Sequence, residues 1–285
     1  MIETITTLDR LRTQVAAWKQ KGYRVAFVPT MGNLHAGHCA LVQLAKQHAD
    51  RVVVSIFVNP TQFGVNEDFS RYPRTPTEDV QSLDAKGCHA VWLPTVQTMS
   101  PFGVDHASTI HIPGLSVILE GAHRPGHFDG VCTVVARLFH QVQPDVAIFG
   151  KKDFQQLAVI RQMVADFAFP IDLLGAETVR ERDGLALSSR NQYLSPIERA
   201  KASDIWHTLI FMRDAYQSGM SCAQIEQHAC SHLQRAGFRV DYAVLRQPQL
   251  ICLPAKGKGL EVVALIAAHL GSTRLIDNLE FESAC

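Results

Sequence analysis

One short apolar run limits the folds open to this chain more than any other feature of its sequence. Residues Val52–Val58 are almost entirely β-branched or aromatic, which is typical of a strand buried on both faces of a parallel sheet. A similar run, Val25–Val28, precedes it, and the spacing of Leu41, Leu44 and Ala45 indicates a helix between the two. The sequence therefore predicts a β-α-β unit near the amino terminus.

The same alternation continues to about residue 180. Helical spacing is found near 77–86, 129–142 and 154–166, and these segments alternate with strand-like segments at 90–93, 146–149 and 171–174. Alternation of this kind predicts an α/β fold, with a Rossmann-like, doubly wound parallel sheet over residues 1–180.

The pattern changes beyond residue 180. Ser195, Pro196 and Glu198 lie in the register of a capping box with a first-turn proline, which predicts the start of a long helix. A second helix is predicted near 222–235, followed by strands near 239–245, 261–267 and 273–280, the last two joined by a hairpin turn at 270–272. Residues 181–285 are expected to form a smaller α+β lid domain with helices and an antiparallel sheet.

Composition excludes several classes of function. The chain has 27 Lys and Arg against 27 Asp and Glu, so it lacks the basic excess of most nucleic-acid-binding proteins. No apolar run approaches the ~20 residues of a membrane helix. The seven cysteines are scattered singly, without a C-x-x-C pair. We expect a cytoplasmic protein with reduced thiols that binds neither nucleic acid nor membranes.

The loop after the predicted strand at 25–28 carries the most specific motif, P-T-M-G-N-L-H-A-G-H at 29–38. A helix starting there would offer unpaired N–H groups to an anion, and Gly32 and Gly37 would let a ligand approach the backbone. His35 and His38 are suited to donate hydrogen bonds to phosphate oxygens. A lone histidine is more commonly a helix cap or a half-buried core residue. The H-x-G-H spacing at a strand end favours the phosphate site.

Four other polar segments sit beside predicted strands or helices. They are F-V-N-P-T-Q-F-G at 57–64, E-G-A-H-R-P-G-H-F-D-G-V at 120–131, F-G-K-K-D-F-Q-Q-L at 149–157 and L-S-S-R-N at 187–191. Taken singly, each is compatible with a solvated loop, a helix cap or a turn. Lys152 follows a strand of the parallel sheet, and a lysine at that edge is well placed to meet a polyphosphate.

These motifs resemble a known family when they are taken together. H-x-G-H after the first long strand is similar to the nucleotide-binding signature of the nucleotidyl-transferring superfamily that includes class I aminoacyl-tRNA synthetases. The five segments, in this order and over nearly the whole chain, resemble the pantothenate synthetase (pantoate–β-alanine ligase) family. The chain departs from the family pattern at two positions, with Lys151 where members often have Glu and Leu187 where they often have Met.

The resemblance implies a function and a set of site residues. The activity is an ATP-dependent condensation of (R)-pantoate with β-alanine through a pantoyl adenylate, with Mg²⁺, in a homodimer. The implied catalytic residues are His35, His38, Lys152 and Arg190. The implied ATP-binding residues are Met31, Gly32, Asn33, Leu34, His35, Ala36, Gly37, His38, Gly150, Lys151, Lys152, Asp153, Val179, Leu187, Ser188, Ser189 and Arg190. The implied pantoate-side residues are Gln62, Gln156, Asn59, Arg124 and His127.

Two alternatives stay open on the residues alone. A nucleotidyltransferase of the same superfamily shares H-x-G-H but leaves the nucleotide on its product, and the segments around Gln62 and Gln156 argue against it. A non-catalytic nucleotide-binding module would use the same loops to bind ATP without turnover. The sequence identifies neither metal ligands nor a general base for the amine step.

Overall fold

A computed structural model describes residues 2–64, 67, 69–254 and 259–283 of the chain. It divides into two compact units. The first unit comprises Met1–Lys151 and Val159–Glu177, and the second comprises Lys152–Ala158 and Thr178–Cys285. The short segment Lys152–Ala158 therefore belongs to the second unit, although in sequence it lies between the two segments of the first unit.

The first unit is built on a six-stranded parallel sheet in the order β1-β4-β3-β2-β5-β6. Its strands are β1 (Glu3–Ile5), β2 (Val25–Thr30), β3 (Arg51–Ile56), β4 (Ala90–Trp92), β5 (Val146–Gly150) and β6 (Asp172–Ala176). The chain order reverses at β2, which pairs with β3 on one side and with β5 on the other. Ligands of doubly wound sheets bind outside the carboxyl ends of the strands at such a switch point.

Helices connect these strands. They are α1 (Leu8–Gln20), α2 (Ala36–His48), α3 (Pro76–Ala85), α4 (Val96–Met99), α5 (Glu120–His123), α6 (His127–Val142) and α7 (Phe154–Asp166). Burial explains the sequence pattern, since Val52, Val53 and Val54 of β3 are fully buried. The Rossmann-like class and the predicted strands and helices of this unit are confirmed, with ends that differ by at most two residues. β1 was not predicted, because Glu3, Thr4 and Ile5 include a single apolar residue and form no apolar run.

In its described residues, the second unit combines the first residues of α7 and three further helices with an antiparallel sheet in the order β7-β8-β9. The helices are α8 (Pro196–Ala202), α9 (Asp204–Gln217) and α10 (Cys222–Arg235), and the strands are β7 (Arg239–Arg246), β8 (Glu261–Leu270) and β9 (Thr273–Glu282).

The capping box is confirmed: the Ser195 N–H donates to Glu198 Oε2 at 2.8 Å, and the Glu198 N–H donates to Ser195 Oγ at 3.3 Å. The single long helix expected from Ser195 is wrong, because Ser203 separates α8 from α9. The predicted hairpin is confirmed, with Leu270 paired to Thr273 across Gly271.

Apolar residues of α9, α10 and the sheet form the core of the second unit. Leu209, Ile225, Leu233 and Ile266 are all fully buried there. In the described part of the chain, no helix is long and apolar enough to cross a membrane.

One glycine of the second unit is fixed by both its backbone and its surroundings. Gly184 has φ +91°, and a Cβ at this position would overlap the indole ring of Trp206. Gly219 has nearly the same backbone angle, φ +89°, but within the described residues nothing lies within 4 Å of a Cβ built on it. The two positions therefore separate backbone strain from steric overlap.

We predict that Gly184→Ala lowers the free energy of unfolding by about 1–3 kcal/mol more than Gly219→Ala, since overpacking typically costs that much. Both variants pay the cost of a side chain at positive φ. Urea unfolding of the two variants and the wild type measures the difference. Equal losses in the two variants would show that Trp206 moves aside without cost.

Candidate active site

The loop between β2 and α2 is held by a buried carboxylate that the sequence did not reveal. Gly32 and Asn33 both have positive φ, +81° and +51°, and they turn the chain away from β2. Asp79 of α3, which is 3% exposed, accepts the N–H of Asn33 at 2.9 Å and that of Leu34 at 2.8 Å. A Cβ at Gly32 would lie 2.9 Å from Asp79 Oδ2. The glycine therefore makes room for this carboxylate.

His35 and His38 form a capping box at the start of α2. The N–H of Gly37 donates to Nδ1 of His35 at 3.1 Å, and the N–H of His35 donates to Nδ1 of His38 at 3.3 Å. A backbone N–H can only donate, so Nδ1 of each ring must accept and carries no proton. Each imidazole is thereby fixed as the neutral tautomer with its proton on Nε2. The ring centroids are 4.2 Å apart.

This capping box also explains the glycine of H-x-G-H. A Cβ at Gly37 would lie 2.8 Å from Cε1 and 2.9 Å from Nδ1 of His35. The first histidine therefore folds back over the second residue after it, and only glycine leaves space for the ring.

A second cluster in the same unit surrounds Gln62. Asn59 and Gln62 are buried, and Nδ2 of Asn59 donates both to the Gly130 carbonyl and to Oε1 of Gln62, each at 3.2 Å. The Thr61 N–H and hydroxyl donate to Oδ1 of Asn59. The Gly130 carbonyl and the Thr61 N–H have fixed polarity, so Asn59 must turn its NH₂ group toward Gln62. Gln62 must then accept with Oε1, which leaves Nε2 as the donor on its other side, 3.0 Å from Sδ of Met31.

Arg124 is committed to protein acceptors through all of its nitrogen atoms. It forms a two-bond pair with Glu67, from Nε at 2.7 Å and from Nη2 at 2.6 Å. Its Nη1 lies 3.3 Å from Glu120 Oε1 and 3.0 Å from Nε2 of His127, and its Nη2 donates to the Gln62 carbonyl at 3.4 Å. These five contacts match the five N–H groups of a guanidinium. Arg124 therefore supports the backbone of Gln62.

His127 is a buried neutral histidine in this network. Its Nδ1 lies 2.8 Å from the Gln62 carbonyl, which can only accept, and its Nε2 faces Nη1 of Arg124, which can only donate. Both contacts require the neutral ring with the proton on Nδ1. Burial and the charge of Arg124 lower the pKa of His127 to about 4. Burial by itself would raise the pKa of Glu67, but the hydrogen bond and charge of Arg124 bring it below its ordinary value.

The second unit holds most of the remaining predicted site residues. Lys152 and Gln156 are half-buried, and Asp153 is exposed at the turn before α7. The Leu187 N–H donates to the Val179 carbonyl at 2.9 Å, so two predicted ATP-binding positions are adjacent. They lead into Ser188, Ser189 and Arg190, where the Arg190 N–H donates to Ser188 Oγ at 3.3 Å. Gly150 and Lys151 belong to the first unit, where Lys151 pairs with Glu177 at 2.6 Å.

The described residues contain no group of three or more His, Cys, Asp or Glu side chains that could hold a metal ion. Magnesium commonly binds through substrate phosphates and one or two carboxylates, so a nucleotide-borne ion does not require such a group.

Comparisons with known proteins agree with the motifs. Residues 3–280 match the family model described as pantoate–β-alanine ligase. The chain belongs to the pantoate–β-alanine ligase family.

Members of the family match the chain over nearly its whole length. A pantothenate synthetase from Stenotrophomonas maltophilia is 64% identical over 281 residues, which are 99% of this chain and 100% of the relative. A pantothenate synthetase from Thermus thermophilus has a TM-score of 0.90 at 44% identity, covering 98% of this chain and 99% of that one. A Francisella tularensis pantoate–β-alanine ligase, complexed with beta-gamma ATP and beta-alanine, has a TM-score of 0.81 at 30% identity, covering 98% and 97%. The family membership inferred from the motifs is confirmed.

The structure groups the predicted residues of this family member into sets. The loop and helix start at 31–38 and the cluster of Asn59, Gln62, Arg124 and His127 lie in the first unit. Lys152, Asp153, Gln156, Val179 and 187–190 lie in the second. Sequence analysis missed Asp79 and Glu67. Asp79 lies in the first turn of α3, where an acidic residue is usually explained by the helix dipole. The signal that could have indicated Glu67 was Arg124, whose positive charge needs an acidic partner.

We predict an acid-sensitive contribution of His127 to stability. Its pKa falls from 6.5 in the unfolded chain to about 4 in the folded protein. Between these values the unfolded chain binds a proton that the folded protein excludes, so the free energy of unfolding falls as the pH falls from 6.5 to 4. The loss amounts to about 3 kcal/mol by pH 4.

His127→Asn is the matched variant, because its amide N–H can replace the Nδ1 donor without titrating. Urea unfolding between pH 7 and 4 should show a shallower loss of stability in His127→Asn than in the wild type. Parallel pH curves would contradict the neutral state assigned to His127.

Proposed function

We propose that this chain condenses (R)-pantoate with β-alanine at the expense of ATP, and that it does so in two steps. In the first, a pantoate carboxylate oxygen attacks the α-phosphorus of ATP, and the bond to pyrophosphate breaks. In the second, the β-alanine nitrogen attacks the acyl carbon, AMP leaves, and the amine loses a proton. Activation is needed because a free carboxylate has no good leaving group. Membership in the ligase family supports the overall reaction, and the Francisella relative's ATP and β-alanine support two of its substrates.

The observation that carries the first step is the tautomer of the histidine pair. Nδ1 of His35 and of His38 accept backbone N–H groups, so each ring keeps a proton on Nε2. A neutral imidazole with a fixed N–H is a preorganised donor for charge that develops on the leaving phosphate. We assign His38 and His35 to that task, with Lys152 and Arg190 as cationic contacts to the triphosphate. The ATP-binding positions predicted from the sequence complete the proposed nucleotide site.

We propose that magnesium enters as the MgATP complex, where it neutralises triphosphate charge. The residues of this chain then bind and orient the complex.

The polarity of Gln62 supports its role toward pantoate. Asn59 holds Oε1 of Gln62, so the amide presents its NH₂ group on the side of Met31. An N–H donor suits a carboxylate or hydroxyl oxygen, and a neutral amide orients the anion without the strong pairing that would weaken it as a nucleophile. We propose Gln62 and Gln156 as pantoate ligands. Asn59, Arg124 and His127 then act by holding Gln62.

Two further expectations follow from the reaction and the family resemblance. The need for ATP favours a cytoplasmic location. The resemblance also implies a homodimer, which sedimentation equilibrium of the purified protein measures directly.

Isotope exchange tests the two-step reaction. We expect labelled pyrophosphate to enter ATP when pantoate is present and β-alanine is absent, because the adenylate forms reversibly before the amine is needed. AMP release should require both acids. A nucleotidyltransferase would leave the nucleotide on its product, and a non-catalytic module would bind ATP without exchange. Exchange that requires β-alanine would contradict a free pantoyl adenylate.

Two substitutions of His38 separate its proposed chemistry from its role in the helix cap. His38→Ala and His38→Glu should both slow pantoyl-adenylate formation by about two to three powers of ten, the usual cost of one preorganised donor, because neither side chain carries an N–H. Glu is a common capping-box residue at this position, so only the Ala variant should also lose about 1 kcal/mol of stability. Single-turnover rates and urea unfolding measure the two effects. A folded Glu variant that forms the adenylate within a few-fold of the wild-type rate would remove His38 from the catalytic set.

A further inference from the structure

Two consecutive residues of β9 are linked to both segments of the second unit that are proposed to bind the triphosphate, to Lys152 directly and to the segment at 187–190 through Arg180. Nδ2 of Asn278 donates to the Lys152 carbonyl at 2.9 Å. Asp277 pairs with Arg180 through both carboxylate oxygens, at 2.5 Å and 3.0 Å. Asp277 and Asn278 are each 5% exposed. They are joined by a hydrogen bond from the Asn278 N–H to Asp277 Oδ1 at 2.8 Å, and we call the two residues the β9 anchor.

Arg180 transmits the anchor to the segment at 187–190. Its guanidinium donates to the carbonyls of Gly184 and Asn278 at 3.0 Å and 3.2 Å, and it lies 3.8 Å from the centroid of the Trp206 ring. Its backbone forms an antiparallel bridge with Ala186. Arg180 therefore holds the stretch that precedes Ser188, and Asp277 of β9 in turn holds Arg180.

The position of Lys152 depends on the same anchor. Lys152 lies in a 3₁₀ turn, and Asn278 holds its backbone carbonyl. This contact fixes the backbone from which the long lysine side chain, with its four rotatable bonds, extends. Burial raises the pKa of Asp277, while the charges of Arg180 and Lys152 oppose that rise. The ammonium group of Lys152 is thus within electrostatic reach of the anchor as well.

We propose that the β9 anchor is a positioning device for adenylate formation. It holds Lys152 and the segment ending in Arg190 at a fixed spacing, so that their cationic groups meet the triphosphate together. Asn278 acts through Lys152, and Asp277 acts through Arg180. The inference rests on the proposed function, because it assumes that these groups bind ATP phosphates.

The test compares the two half-reactions in Asn278→Ala. Pyrophosphate has left before the amine attacks, so loss of the anchor should slow adenylate formation and spare the reaction of preformed pantoyl adenylate with β-alanine. We expect adenylate formation to fall about 10- to 100-fold, the range that small misplacements of catalytic groups produce, with the second half-reaction within a few-fold of wild type. Thr208→Ala is the control, because Thr208 is buried and its hydroxyl bonds only to Asp204 of its own helix among the contacts described.

A double variant shows whether Asn278 acts through Lys152. Lys152→Ala should slow adenylate formation strongly, and adding Asn278→Ala should slow it little further, because the group that the anchor positions is already gone. Asn278→Ser is the second single variant if Asn278→Ala does not fold, since it keeps a polar group that is too short to reach the Lys152 carbonyl.

Three results would overturn the proposal. The first is an Asn278 variant that forms the adenylate as fast as Thr208→Ala does. The second is a variant in which both half-reactions slow by the same factor. The third is a double variant in which the rate losses of the two single variants multiply. Wild-type protein that forms no adenylate would overturn the proposed function and this inference with it. This outcome is distinct from the other three, because those require a wild-type protein that is active.

Discussion

The site in the first unit depends on how the backbone N–H groups before α2 are satisfied. The N–H groups of Asn33 and Leu34 bind Asp79, that of His35 binds His38, and that of Gly37 binds His35. In glycine-rich phosphate loops of the nest type, such N–H groups bind the anion directly. Here the protein uses these four itself. The N–H of Gly37, in the first turn of α2, is therefore used within the protein, whereas the sequence pattern predicted unpaired N–H groups at the start of this helix. Under the proposed function, the histidine side chains donate to phosphate, and the same hydrogen bonds fix their tautomers.

Local patterns were enough to predict five of the six strands of the parallel sheet, its longer helices and the family. Buried parallel strands such as β3 are continuous apolar runs, and α7 and α10 were predicted with the bounds that the structure gives them. Motif order identified the family because five short segments in sequence are far more specific than any one. The roles of the individual site residues remain predictions, since family membership does not measure what each side chain binds.

The supporting residues could not be predicted in the same way. Asp79 lies more than 40 positions from the loop that it holds, and Asn278 lies 126 positions from Lys152. Neither residue has a periodic or motif signal, because its partner is a backbone group, and every residue except proline offers the same N–H and C=O. Pairing of this kind becomes visible only when the sheet topology brings the segments together. The break at Ser203 was also missed, because the capping box at Ser195 marks where a helix begins and carries no information on where it ends.

The charges around Gln62 are the basis for proposing that Arg124 and His127, two residues that resemble anion ligands, instead support Gln62. A free arginine beside pantoate would pair with its carboxylate and lower its nucleophilicity, whereas Arg124 is paired with Glu67 and its remaining N–H groups bind Glu120, His127 and the Gln62 carbonyl. His127 is kept neutral by burial and by that same arginine. Under the proposed function, Gln62 therefore offers pantoate an uncharged donor of fixed polarity. Such a donor can orient a carboxylate that must both bind and attack, without a strong attraction that would stabilise it before the reaction.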